Sequence, residues 1–70
     1  MYYKFYVETL ELINNSPHHA IVKNASSRTE AMMQILNDAI ALGFTIDKIE
    51  FVGQYFIEPL CNTSFRGYKP

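Results

Sequence analysis

Residues 27–43 carry the one helix signature in this chain, and that signature limits what the rest can do. Ser27-Arg28-Thr29-Glu30 fits a capping box: the Ser27 hydroxyl accepts from the Glu30 amide, and the Glu30 carboxylate reaches back to the Ser27 amide. The run from Arg28 to Leu42 holds good helix formers and neither Gly nor Pro. Ala31, Met32, Ile35, Leu36, Ala39 and Leu42 gather within about 140° on a helical wheel, a normal width for a core-facing stripe. Gly43 is placed as a left-handed stop, with Phe44 beyond it for the hydrophobic contact of a Schellman motif. One helix covers only one face of a sheet. Whatever sheet the flanking segments form must leave its other face to solvent or to a partner.

The flanking segments do read as strands. Tyr3, Phe5 and Val7 alternate with Tyr2, Lys4, Tyr6 and Glu8, the period-2 pattern of a half-buried strand. Leu10 and Leu12 then fall on the even positions, so the phase flips. Either a β-bulge sits near Glu8 and Thr9, or the strand ends there. Asn14-Asn15-Ser16-Pro17 is a dense turn signal, because Asn tolerates left-handed backbone angles. Residues 18–25 read as a second strand, in an antiparallel hairpin with the first. Residues 46–52 read as a third, with Ile49 and Phe51 on one face and Lys48 and Glu50 on the other. Gly53-Gln54 fits a type II′ turn that pairs Phe51 with Phe56 and Val52 with Tyr55, in a hairpin ending near Pro59. Alternatively Gly53 is a bulge in one long strand over about residues 46–58; the hairpin is preferred. The expected fold is α+β: an antiparallel sheet of three to four strands with one helix on one face, in the order ββαβ(β). Residues 1–60 form one domain and 61–70 a loosely ordered tail. If the second and third strands are parallel neighbours, the helix joins them by a right-handed crossover.

A chain of 70 residues buries only about 60% of the surface its unfolded form exposes, so the core is thin. At 49% hydrophobic and 19% charged it is neither disordered nor collagenous. A single Cys, Cys61, excludes a disulfide framework. The opening Met1-Tyr2-Tyr3-Lys4-Phe5-Tyr6 lacks the basic-then-apolar order of a signal peptide, and no apolar run is long enough for a membrane span. A cytoplasmic protein with no membrane association is expected. Cys61 with His18 or His19 is a nominal nucleophile and base, but no local motif supports it, and the acidic residues form no spaced pair. Adjacent in a strand, His18 and His19 point to opposite faces and cannot share a metal ion. Isolated glycines make no phosphate loop. The expectation is a non-catalytic protein with no metal and no cofactor.

Two binding functions remain. Six basic against seven acidic residues is the wrong balance for neutralising phosphates. Yet Phe65-Arg66-Gly67-Tyr68-Lys69 interleaves aromatics with cations, and Tyr2, Lys4 and Tyr6 do so on one strand face. Single-stranded nucleic-acid binding, through that surface and Phe65, Arg66 and Tyr68 of the tail, is the alternative reading. The preferred one follows from ten Tyr and Phe, more than one helix can cover. With Tyr3, Phe5, Ile49, Phe51 and Phe56 in the core, the opposite face carries Tyr2, Tyr6, Val52, Tyr55 and Ile57, studded with Lys4, Glu8, Lys48 and Glu50. Tyr anchors interfaces while tolerating exposure. A protein partner or a second copy of the chain is expected there, centred on Tyr2, Tyr6 and Tyr55 with Lys4 at the rim.

The run Ala25-Ser26-Ser27-Arg28-Thr29-Glu30-Ala31-Met32, following an aromatic-rich N-terminal strand, resembles small phage- and mobile-element-encoded proteins, among them anti-CRISPR proteins. The resemblance spans about residues 1–58 and implies a tiny single domain that binds and blocks a host protein complex. Such proteins share no catalytic motif, so no functional residue carries over. The net charge of −1 speaks against mimicry of DNA here.

Overall fold

The computed structural model describes residues 1–59, which run β1 (Tyr2–Ile13), β2 (Ser16–Asn24), α1 (Arg28–Leu42) and β3 (Ile46–Tyr55). The strands form one antiparallel sheet in the order β2-β1-β3, an α+β fold of the type ββαβ. Among the described residues there is no fourth strand. β2 and β3 both oppose β1, so they run parallel to each other on either side of it. They are not neighbours: α1 carries the chain across β1 from one edge of the sheet to the other.

The β1–β2 hairpin closes on Ile13 and Ser16. Asn14 and Asn15 have φ of 54° and 65°, the two consecutive left-handed residues of a type I′ turn, which matches the strand twist. Ser16 and Pro17 therefore belong to β2, which begins two residues earlier than the sequence signal suggests and ends at Asn24. Pro17 has no N–H to give the ladder. There β1 passes residues 9–12 where β2 passes Pro17 alone. On the other side, Glu8 pairs with Lys48 and Thr9 with Ile46, so Asp47 is an extra residue. The expected irregularity at Glu8 and Thr9 is present. The expected change of phase is not: Thr9 and Ile13 stay buried, and Leu10 and Leu12 are each 66% exposed. The ladder absorbs the slip through extra residues, so β1 keeps its alternation to the end.

The helix begins and ends on its signals. Ser27 Oγ accepts from the Glu30 amide at 3.1 Å, which satisfies one of the open donors of the first turn. The Glu30 carboxylate takes the Ser26 hydroxyl and not the Ser27 amide, so only half of the capping box forms. At the other end Gly43, at φ 82°, donates to Ile40 O, and Phe44 donates to Ala39 O at 3.1 Å, the two bonds of a Schellman motif. Ala31, Ile35 and Ala39 bury their side chains against Tyr3, Phe5, Val7 and Ile21, with Phe44 completing the cluster. Met32 and Leu42 pack beside it, whereas Leu36 lies at the margin, exposed. Lys23 on β2 pairs with Asp38 of α1, and the Arg28 guanidinium lies 4.8 Å from the centre of the Phe51 ring on β3. The helix is thus tied to both edge strands.

The hairpin reading of Gly53-Gln54 is overturned. β3 runs unbroken through both residues, and Gly53 lacks the positive φ that a type II′ turn demands of its first residue. Phe5 pairs with Phe51 and Lys4 with Gly53, so Val52 is the inserted residue of a bulge, the alternative raised above. The strand stops at Tyr55. Phe56, expected in the core, is 87% exposed because no returning strand brings it back, and Ile57 is exposed likewise.

Candidate functional site

The helix covers the face of the sheet that carries Tyr3, Phe5 and Val7. Strand alternation sends Tyr2, Lys4, Tyr6 and Glu8 to the other face. Cross-strand register then builds a grid around them. Tyr2 lies between Asn24 and Tyr55, Lys4 between Val22 and Gly53, Tyr6 between Ala20 and Glu50, and Glu8 between His18 and Lys48. Of the residues singled out in the sequence, Tyr2, Lys4, Tyr6 and Tyr55 thus share one helix-free face. Phe65, Arg66 and Tyr68, like Cys61, lie outside the described residues.

Tyr6 stands in the middle of this grid, 49% exposed, with the Lys4 ammonium 5.8 Å from its ring centre. Tyr55 reaches the face through the Val52 bulge. By strict alternation it would share the side of Ile49 and Phe51; the inserted residue turns it opposite Tyr2. Its ring then folds back over Gly53. A Cβ on Gly53 would stand 3.0 Å from Tyr55 Oη and 3.3 Å from Cζ, so the missing side chain is the space that the ring occupies. Glycine here permits a close approach of the ring and makes no turn.

The charges on the face are mixed and balanced: Lys4 and Lys48 against Glu8 and Glu50. A shallow pocket of about 270 Å³ opens between Tyr6, Glu8, His18, Lys48 and Glu50. Opposite charges face one another across the strands at Glu8 and Lys48, an arrangement that favours the observed register. Among the described residues no three His, Cys, Asp or Glu side chains stand close enough to hold a metal ion. No described helix is long and apolar enough to cross a membrane.

One polar pair escaped the sequence reading, which weighed the histidines only as a nominal base and as metal ligands. His19 is 3% exposed, and its Nε2 lies 3.1 Å from Thr9 Oγ1, itself buried. The Thr9 hydroxyl donates its one hydrogen to Glu11 O at 2.7 Å, so His19 must be the donor, from Nε2–H. Burial holds the His19 pKa below the usual histidine value, and neighbouring His18 adds to the effect. Nearby, Glu11 Oε1 accepts the Thr45 amide at 2.6 Å, which holds that carboxyl below its ordinary pKa and fastens the helix-to-β3 link onto β1. The only local signal for the His19 pair was Thr at an odd, core-facing position of β1. Comparison with known proteins finds no match: no family model, no curated protein and no solved structure matches this chain.

Proposed function

We propose that the chain is a small non-catalytic protein-binding module that works through the helix-free face of its sheet. The observation that carries this reading is the register itself, which gathers Tyr2, Tyr6 and Tyr55 on the side that α1 leaves open. Tyrosine combines a large apolar ring with a hydroxyl that stays wet, the property that makes it frequent among interface anchors. The balanced charge on the face supports protein over single-stranded nucleic acid, which selects for an excess of cations. The resemblance of residues 25–32 to phage-type blockers extends the reading to inhibition of a host protein complex.

The test is capture by the tagged chain from a host lysate and light scattering of the purified chain, each repeated with Tyr6→Ala and Tyr55→Ala. Tyr6→Ala should weaken association by about 2 kcal/mol if it is an anchor of the interface. The reading fails if both variants keep their fold and leave both captured proteins and solution mass unchanged. A parallel titration with single-stranded RNA and DNA favours the alternative if it shows micromolar binding with a steep salt slope.

A further inference from the structure

We propose that the partner of the open face is a second copy of this chain, in a symmetric face-to-face dimer whose two-fold axis crosses β1 between Lys4 and Tyr6. The inference rests on the reading that this face binds protein, and it names the partner. The charge pattern is self-complementary about this axis, which is the argument for a second copy. Along β1 the face presents Tyr2, Lys4, Tyr6 and Glu8, and beside them β3 presents Tyr55, Gly53, Glu50 and Lys48. Two copies can meet with the axis along the strands or across them. An axis along β1 sets Lys4 on Lys4 and Glu8 on Glu8. An axis across the strands at Tyr6 sets Glu50 on Glu50. Like charges brought together in an interface are costly.

An axis across the strands between Lys4 and Tyr6 avoids every such clash. It places Lys4 over Tyr6 of the second copy and beside that copy's Glu50, so one ammonium meets a ring face and a carboxylate together. It sets Lys48 against Tyr55, and the Tyr2 hydroxyl toward Glu8. On the β2 side it lays the half-buried Val22 over the position of Ala20, which is buried and carries no charge. The pocket bounded by Tyr6, Glu8 and Glu50 adjoins the position where Lys4 of the second copy arrives. Every contact occurs twice, as a two-fold axis requires. A patch three strands wide and four residues long falls below the standard interface of about 800 Å² per partner, which places the dimer in the weak, transient class.

Sedimentation equilibrium of the full chain from about 10 µM to about 1 mM tests this directly. The mass should climb from monomer toward dimer. Lys4→Glu and Glu50→Lys, each alone, set like charges against each other and should weaken self-association at least tenfold, on the order expected for a charge reversal. Mixed in equal amounts, the two variants restore opposite charges at both contacts and should associate again. Should either variant lose its fold by circular dichroism, Val22→Arg replaces it and should likewise keep the chain monomeric. The proposal is overturned if the unmodified chain stays monomeric to about 1 mM, or if folded Lys4→Glu and Glu50→Lys chains fail to associate on mixing. A monomeric chain whose capture of another protein still depends on Tyr6 or Tyr55 sinks the dimer and leaves the face reading standing; a monomeric chain whose capture is indifferent to both sinks both.

Discussion

His19 shows how one buried side chain ties stability to pH. Its imidazole donates to Thr9 in the neutral form, and burial disfavours the second proton. In the unfolded chain a histidine takes up that proton near pH 6.5. The folded pKa lies lower, so the unfolded state binds more protons in the window between the two values, and stability falls as pH drops through it. Above about pH 6.5 the contribution is fully present. We expect the urea midpoint of the chain to fall between pH 7.5 and pH 5.5, and His19→Gln, which keeps a donor for Thr9, to flatten that dependence. An equal slope in both proteins would show that His19 is not its source. This role could not be seen in the sequence, because it depends on Thr9 and His19 meeting across strands, and neither residue predicts the other.

At the scale of elements, legibility followed the range of the interactions. The helix was readable to the residue because Ser27, Glu30, Gly43 and Phe44 act within a turn of its ends. The β1–β2 turn was readable because asparagine suits left-handed angles, though its type and its two-residue length were not. β3 was misread because Gly-Gln between apolar residues suits a turn as well as a bulge, and only pairing with β1 decides. Tyr55 nevertheless reached the expected face, by a bulge and not by a turn. Leu10 and Leu12 were assigned inward because apolar residues usually mark the core side; here the extra residues at Asp47 and opposite Pro17 keep β1 in phase and leave both outward. Gly53→Ala tests the close approach of Tyr55 to Gly53. In extended backbone, alanine leaves the midpoint unchanged or raises stability by up to about 1 kcal/mol, while its Cβ lifts the Tyr55 ring. Nuclear Overhauser contacts between residue 53 and that ring should change accordingly. Loss of more than about 1 kcal/mol would instead show that the Tyr55 ring cannot move aside for the added Cβ.

The molecule as a whole rests on one thin layer between α1 and the sheet. Ile35 is fully buried at the centre of that layer. Ile35→Ala should cost about 2–4 kcal/mol, against a total stability of about 3–5 kcal/mol for a domain this small. Denaturant titration should therefore find the variant without a stable folded baseline at low protein concentration, and a wild-type midpoint at that concentration would show that the core is not so thin. The placement of β1 between strands that precede and follow the helix also governs how the chain meets the cell during its own synthesis. β2 can zip onto β1 as soon as the Asn14-Asn15 turn emerges. The other edge of β1 must wait for β3, since Tyr6 pairs with Glu50 more than forty residues later. At about 5–20 residues per second that edge stays bare for several seconds on each nascent chain. Pauses in translation between the helix and β3 would lengthen this interval and favour aggregation, whereas the completed sheet, once closed, gives no sign of the risk.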